Sequence, residues 1–303
     1  MVQGSLMKKL RESKFLLLLF TPCLIYYALF KYLPMWGVLI PFKNYKLFRG
    51  FLDSDWVGLD NFIRMFQSLD FQRLVSNTLV LGVLVLVCGF PFPIIFALIL
   101  NEVRNVHFKK FVQTVSYMPY FMSSVIIVGM LRMFLNPRNG IINNLIASMG
   151  NEKINFLLNP DWFRPIYIIS DIWQYTGFGA IIYLAALANI DVEMYESAFI
   201  DGANKWKQLI YITIPSIAPV IIVMLLLNTG AVVDIGFEKV FLLQNAATYA
   251  STDVIVTFVY RQGLLSGNVS YGATFGLFNS FINLFFIYFS NRMARRYSGT
   301  SLW

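Results

Sequence analysis

Six long runs of hydrophobic residues alternate with polar stretches along this chain of 303 residues. Each run is close to the roughly 20 residues that a helix needs to cross a bilayer. The two halves of the pattern have no clear similarity to each other, which counts against the inverted repeats of many secondary transporters. We therefore predict membrane-spanning helices near residues 15–36, 74–100, 111–135, 163–189, 215–235 and 272–291.

The segments between these runs are expected to be loops on alternating sides of the membrane. The first is long and carries several acidic residues, so we interpret it as a small external segment and not as a further span. The loops are predicted near 37–73, 101–110, 136–162, 190–214 and 236–271.

The distribution of lysine and arginine indicates which side each loop faces. These residues are about twice as dense in the N-terminus, the second and fourth loops and the C-terminal tail as in the other loops. The positive-inside rule places the denser side in the cytoplasm. The fourth loop is itself net acidic, so its place on that side follows from the alternation alone. We expect a multi-pass protein of the cell membrane with both termini in the cytoplasm.

The composition is that of a membrane protein. It argues against a soluble domain, a nucleic-acid-binding protein, a metal-cluster protein and a Ser-His-Asp enzyme. The chain is 57% hydrophobic and 13% charged, and a soluble domain of this size would need more polar surface. The net charge of +8 is attributed to basic residues that flank the spans, with membrane lipid and not nucleic acid as the partner. One histidine, His107, and two cysteines are too few for a metal cluster or a Ser-His-Asp triad.

A glycine-rich phosphate loop with its Lys-Ser/Thr ending is also absent from the sequence, so this chain is not expected to hydrolyse ATP. We therefore predict a protein that is not an enzyme, with no metal and no cofactor bound by this chain. A membrane enzyme is the most remote alternative.

A charged island between the fourth and fifth hydrophobic runs has a distinctive spacing. Its marked positions are Glu196, Ala198, Asp201, Gly202, Ile212 and Pro215. The carboxylates suit the early turns of a helix that begins near Met194, because its N-terminus is the positive end of the dipole. Gly202 lacks a side chain where the backbone must turn or approach a partner, and Pro215 is expected to begin span five. An ordinary amphipathic connector is the alternative.

The spacing of this island resembles the EAA loop in the membrane subunits of ATP-binding-cassette (ABC) importers. Other stretches resemble carbohydrate importer permeases, and the ending 299–303 is similar to their oligosaccharide or polysaccharide branch in Gram-positive bacteria. Ser197 stands where that family has a second alanine, and Ile214 where it usually has leucine. The other similar stretches are 30–37, 56–62, 100–105, 155–157, 168–173 and 183–187.

The resemblance implies an all-α membrane protein with six transmembrane helices and the fold of a type I ABC importer permease. It implies an N-terminal part with the first span over 1–73, the permease core over 74–291 and a C-terminal tail over 292–303. A cytoplasmic coupling helix over 194–207 would dock on the ATPase. The chain would be comparable to the larger maltose-type permease half, in a binding-protein-dependent importer of oligosaccharides or complex glycans.

The resemblance also implies the partners. These are a second, different permease, two copies of a cytoplasmic ABC ATPase that uses ATP and Mg²⁺, and an extracellular lipid-anchored sugar-binding protein. Two alternatives for the function remain open. One is the same architecture for a solute that is not a sugar, and the other is a stand-alone secondary transporter.

Polar residues within the spans are costly in lipid, so they are candidates for the substrate pathway. At 1.5 Å per residue, those in spans four, five and six lie at similar depths below the outer helix ends. Nearby aromatic side chains suit the faces of sugar rings. The candidates are Asp171, Trp173, Tyr175, Asn228, Asn279 and Asn283. Hydrogen bonding between helices is the alternative role for each of them.

Overall fold

The computed structural model describes residues 13–298. The basic residues Lys8, Lys9 and Arg11 and the ending 299–303 lie outside the described residues. In chain order the helices are α1 Lys14–Phe42, α2 Asp60–Gln67, α3 Leu69–Asn101, α4 Val106–Tyr117, α5 Ser124–Phe134, α6 Ile141–Ser148, α7 Pro160–Ala188, α8 Val192–Ile200, α9 Lys205–Gly230, α10 Phe237–Leu243, α11 Tyr249–Thr252, α12 Ile255–Phe258 and α13 Val269–Ser298.

Four helices of the described chain, α1, α3, α9 and α13, are each long and apolar enough to cross a membrane. Two bent pairs reach the same standard only together: α4 with α5, bent by 99°, and α7 with α8, bent by 68°. Counted with each pair as one span, the described chain has up to six spans. The predicted all-α membrane fold with six spans is thereby confirmed, with two of the six bent.

The third predicted span, near 111–135, is not one continuous helix. After α4 the chain makes a 3₁₀ turn, Met118–Phe121, before α5 begins at Ser124. Pro119 has no N–H to donate, and the Ser123 side chain accepts a hydrogen bond from the Ile126 N–H as the cap of the new helix. The two halves therefore pack on different neighbours, α4 against α7 and α5 against α10.

The first predicted loop, 37–73, also contains regular structure. Strand β1, Lys43–Lys46, pairs antiparallel with β2, Gly50–Trp56, with Lys43 opposite Trp56 and an irregularity between Asn44 and Lys46. The Tyr45 N–H donates a 2.8 Å hydrogen bond to the Ser270 hydroxyl at the start of α13. This bond fixes the hairpin to the last span.

The segment predicted as the last loop, 236–271, is largely folded into the protein. It contains α10, α11 and α12, and α12 continues as the π-helical turns Val259–Leu265. Thr252, Asp253 and Ile255 are completely buried there. Hydropathy marks this segment as polar because of its charges, but Lys239, Asp253 and Arg261 form ion pairs within the fold.

Three clusters of buried side chains hold the helices together. The first joins α3, α7 and α9, the second joins α3, α5 and α7 to the segment after α9, and the third joins α2, α3, α12 and α13. The first cluster contains Ala97, Ala180 and Ile217. The second contains Leu81, Val128, Tyr167 and Val240. The third contains Met65, Leu74, Phe258 and Phe275. Helix α1 contributes to none of them, since Lys14–Tyr27 has no buried residue.

Gly82 on α3 permits the closest approach between a span and the segment after α9. A Cβ atom at this position would lie 1.8 Å from the backbone carbonyl oxygen of Val232. Backbone cannot move aside as a flexible side chain can. The close contact of Val232 with α3 therefore depends on glycine.

We predict that Gly82→Ala destabilises the protein by about 1–3 kcal/mol, the usual cost of overpacking a well-packed interior. The measurement is the midpoint of thermal unfolding of the purified protein. Gly89→Ala on the same helix is the matched control, because a Cβ there has nothing within 4 Å. Equal midpoints for the two variants would contradict the prediction.

Candidate functional site: a polar cavity and an exposed short helix

A cavity of about 770 Å³ lies among α3, α7 and α9 and is also lined by the segment 231–239. Much of its wall is apolar, with Val85, Leu86 and Phe90 from α3. Polar side chains from α7, α9 and the segment after α9 converge on the same volume. These are Tyr167, Asp171, Tyr175, Thr176, Tyr183, Asn228, Asp234, Glu238 and Lys239.

Three of the residues predicted for the substrate pathway line this cavity: Asp171, Tyr175 and Asn228. Asp171 and Tyr175 share one face of α7 because they are four residues apart. Asn228 comes from α9, where its amide also donates a 2.8 Å hydrogen bond to the Met224 carbonyl of the preceding turn. The cavity thus brings together side chains from two different spans.

The other three predicted residues lie elsewhere. Trp173 is 46% exposed and lines grooves on another side of α7, since it is only two residues from Asp171. Asn279 and Asn283 on α13 do not line the cavity. The Asn279 amide donates to the Val233 carbonyl at 3.5 Å, and both carboxamide oxygens are buried without a partner among the described residues.

A buried ion pair crosses the cavity wall. The Lys239 ammonium lies 3.3 Å from the Asp171 carboxylate and also donates to the Gln174 carboxamide oxygen at 3.3 Å. It lies 5.1 Å from the ring centroid of Tyr167, and the Lys239 residue is only 4% exposed. Sequence reasoning missed Lys239 because it belongs to a segment that was predicted to be an external loop.

The short helix α8 is capped at both ends by its own sequence. The Asp191 side chain accepts a 3.0 Å hydrogen bond from the Glu193 N–H at the N-terminus. At the other end the Ala203 N–H donates to the Ala198 carbonyl at 2.8 Å, and the Gly202 N–H donates to the Phe199 carbonyl at 3.0 Å. This pair of bonds is a Schellman motif, which requires the left-handed backbone that Gly202 adopts at φ +76°.

Helix α8 presents apolar side chains to the exterior. None of its residues is buried, and Phe199 and Ile200 are 76% and 84% exposed. The predicted residue Glu196 is also exposed, Ala198 is half-buried, and Asp201 is the exposed C-cap. Exposed apolar side chains of this kind are typical of a surface that contacts another protein or lipid.

The helix predicted over 194–207 is in fact two helices. It ends at Ile200, and α9 begins at Lys205, where the Asn204 side chain accepts a hydrogen bond from the Lys207 N–H. Pro215 lies in the first turn of the regular α-helical part of α9, Ile214–Gly230, as expected for the start of span five, although α9 as a whole extends back to Lys205. The π turn Leu209–Thr213, which includes the half-buried Ile212, precedes this proline.

Residues 89–298 match the family described as "Binding-protein-dependent transport system inner membrane component". The match covers more than half of the chain. This chain belongs to that family. It is a permease subunit, and the predicted family and fold are confirmed.

Two relatives from Bacillus subtilis (strain 168) are similar over almost their whole length. The permease is 47% identical over 292 residues to the polygalacturonan/rhamnogalacturonan transport system permease protein YteP, covering 96% of this chain and 91% of that protein. It is 44% identical over 298 residues to the protein LplB, covering 98% and 94%.

A solved structure has the same fold. One chain of the crystal structure of a bacterial alginate ABC transporter, in complex with an alginate pentasaccharide-bound periplasmic protein, superposes with a TM-score of 0.90. That chain is 40% identical, and the match covers 97% of the permease and 99% of that chain. These similarities agree with a membrane component of a transport system.

Within the permease, a network around Asp253 holds the segment after α9 in place. The completely buried Asp253 carboxylate accepts hydrogen bonds from Arg261 at 2.6 and 3.1 Å and from Arg73 on α3 at 3.4 Å. The Asn77 amide on α3 donates to the carbonyls of Ala250 and Asp253 at 3.0 and 3.1 Å. This segment therefore lies firmly against α3.

No group of three or more histidine, cysteine, aspartate or glutamate side chains that could hold a metal ion occurs in the described part of the permease.

We predict that Asp171→Asn destabilises the permease by about 3–5 kcal/mol, because it leaves the buried Lys239 ammonium without its carboxylate. The double variant Asp171→Asn with Lys239→Met should recover most of this loss, since it removes both charges. The measurement is thermal unfolding of the purified protein. The control is Asp55→Asn, which breaks the exposed 3.6 Å pair with Arg49 and should leave the midpoint unchanged. An equally small effect of Asp171→Asn would contradict the prediction.

Proposed function

We propose that this permease forms half of the translocation pathway of an ATP-driven, binding-protein-dependent importer of oligosaccharides or complex glycans. A second, different permease would form the other half. The cavity supports this assignment because hydroxyl, amide and carboxylate groups and the Tyr175 ring meet there, and these groups suit sugar hydroxyls and ring faces. Among the described residues, those that line the cavity come from α3, α5, α7, α9 and the segment 231–239, and the second permease would supply the opposite wall.

The ATPase is proposed to dock on α8. The observation that carries this proposal is the set of exposed apolar side chains, Phe199 and Ile200 foremost, on a short helix between α7 and α9 that has no buried residue. Two copies of a cytoplasmic ATPase would bind and hydrolyse ATP with Mg²⁺, one copy on each permease. The proposal requires α8, the N-terminus and the C-terminus to be cytoplasmic, which is the orientation that the positive-inside rule favours.

An extracellular binding protein is proposed to deliver the glycan to the opposite face. The similar alginate transporter was solved with a periplasmic binding protein, which supports a partner of this kind. The two relatives from Bacillus subtilis support an origin in a Gram-positive bacterium, where such a protein would be anchored by lipid.

The charges of the cavity bear on the type of glycan. YteP and the alginate transporter are named for acidic polysaccharides. The wall of this permease, however, carries the carboxylates of Asp171, Asp234 and Glu238 against the single ammonium of Lys239, which Asp171 already pairs. We therefore propose that this half contacts the hydroxyl and ring surfaces of the glycan. The positive charge that a uronate needs would come from the second permease.

We predict that Tyr175→Ala and Asn228→Leu each lower oligosaccharide uptake by roughly fivefold, the effect of losing about 1 kcal/mol from one stacking contact or hydrogen bond. Uptake is measured with the complete importer in proteoliposomes, with the binding protein present. Asn283→Leu is the control, because Asn283 lies outside the cavity and its carboxamide oxygen lacks a partner among the described residues.

The uptake of the Asn283→Leu importer should match that of the unchanged protein. Loss of uptake in this control, with normal uptake in Tyr175→Ala and Asn228→Leu, would contradict the proposal and would favour a pathway beside α13.

We predict that Gly202→Asn weakens retention of the ATPase by about tenfold or more, as expected for a change near the centre of an interface. Asparagine tolerates the left-handed backbone, so the α8 cap should persist. A Cβ at Gly202 has no described residue within 4 Å, so a side chain there would extend into solvent or into a bound partner. Retention is measured by co-purification.

The matched control for Gly202→Asn is Gly150→Asn. Gly150 also has a left-handed backbone, with φ +83°, and open space around its Cβ, but it lies in the loop after α6. Co-purification of the ATPase with Gly202→Asn at the same level as with Gly150→Asn would contradict docking at this turn.

A further inference from the structure

The π turn Leu209–Thr213 lies between α8 and the part of α9 that lines the cavity. Pro215 has no N–H for the carbonyl of Tyr211, the residue four positions earlier, so the regular α-helical bonding fails at this point. The chain responds with the wider π spacing, in which the Ile214 N–H donates to the Leu209 carbonyl. A turn of this kind is a place where a helix can bend.

A chain of hydrogen bonds joins α8 to this π turn. The Tyr195 hydroxyl on α8 lies 2.9 Å from the Thr213 hydroxyl, and the Thr213 hydroxyl donates to the Gln208 carbonyl at 3.3 Å. The Gln208 amide in turn donates to the Ala203 carbonyl in the linker at 3.3 Å. In the contact between the two hydroxyls, either oxygen can be the donor.

These contacts differ from the rest of α8 in their burial and in what they connect. Thr213 and Gln208 are each only 6% exposed, whereas no residue of α8 itself is buried. Among the described residues, Tyr195 has the only α8 side chain that makes a hydrogen bond or ion pair with a different helix. The short helix is thus attached to span five by one polar contact in addition to the backbone.

We propose that Tyr195 and Thr213 are positioning residues that make α8 and the π turn move as one body, so that displacement of α8 bends span five at this turn. This inference rests on the proposed docking of the ATPase on α8. Without the contact, the linker with the left-handed Gly202 would absorb the displacement by rotating about its backbone bonds. With it, α8, the linker and the π turn form a closed loop that cannot change shape freely.

A displacement of α8 can be transmitted to the cavity through α9. Asn228 lies on the same helix as Thr213, about 22 Å further along at 1.5 Å per residue. Pro219 removes one backbone hydrogen bond within this length, but the helix is continuous to Gly230, so a bend at the π turn changes the position of the cavity-lining residues Met224 and Asn228. Coupling between α8 and the cavity then depends on whether a displacement of α8 bends α9 at the π turn.

The test compares uptake with ATP hydrolysis in the same proteoliposomes, with the complete importer and its binding protein. Tyr195→Phe and Thr213→Val each remove one hydroxyl at almost unchanged volume. Both variants should assemble and hydrolyse ATP, but the number of glycans imported per ATP should fall by about fivefold or more, the lower range of allosteric coupling. Thr213→Ser keeps the hydroxyl and should restore the ratio.

Tyr211→Phe is the matched control. It is the same substitution two residues from Thr213, but Tyr211 is 75% exposed and its hydroxyl has no hydrogen bond with any described residue. Its ratio of uptake to hydrolysis should be unchanged. A normal ratio in Tyr195→Phe would overturn the proposal, and so would loss of assembly in this variant, because the hydroxyl would then serve stability alone.

A cross-linking measurement separates this inference from the docking proposal. Phe199→Cys, with Cys23 and Cys88 replaced by alanine, should form a cross-link to the ATPase, because Phe199 is 76% exposed. A cross-link together with a normal ratio in Tyr195→Phe overturns only the role of the Tyr195–Thr213 contact. Absence of any cross-link from this position overturns docking on α8, and with it the present inference.

Discussion

The paired charges around Asp253 are the interaction on which the cavity depends. The segment after α9 has no long hydrophobic helix of its own. It is held against α3 by buried side chains such as Val240 and Val254 and by the contact of Asp253 with Arg73, while Arg261 of the same segment pairs with the same carboxylate. A buried carboxylate is stable only with such partners. The same segment carries Lys239 and the other lining residues from 231 to 239. The wall formed by 231–239 therefore belongs to a segment whose position depends in part on three charges that lie outside the cavity.

This dependence explains which parts of the fold could be predicted from the sequence. Hydropathy locates the spans because the bilayer demands about 20 apolar residues from each helix, whatever its neighbours are. It fails for 236–271, since a charged residue such as Asp253 gives the same local signal whether it faces water or is paired inside. The partner Arg73 is 180 positions away along the chain. Only the folded structure brings the two together.

The residues of the candidate site could likewise be predicted only in part from the sequence. The spacing of Asp171 and Tyr175 predicts a shared helix face, and both line the cavity. Depth alone, however, does not determine which way a residue faces, and for that reason Trp173, Asn279 and Asn283 lie outside the cavity at a similar predicted depth. For α8, the spacing from Ala198 to Gly202 has a local physical cause, the Schellman cap, so it could be identified from the sequence. The division of the predicted helix 194–207 was missed, because α8 begins at the Asp191 cap and a separate cap at Asn204 begins α9.

The polar wall of the cavity also bears on whether the permease acts alone. Asp171, Tyr175 and Asn228 lie among residues that this chain leaves partly uncovered, and α1 has an N-terminal half without a buried residue. The apolar surface of α1 is compatible with lipid. The charged and amide groups are not, because polar groups that face hydrocarbon without partners are strongly unfavourable. A single chain in the bilayer would therefore need water, or a second protein wall, opposite its cavity. A pathway between two permeases meets both requirements, since the second wall excludes lipid while the space between the walls stays hydrated.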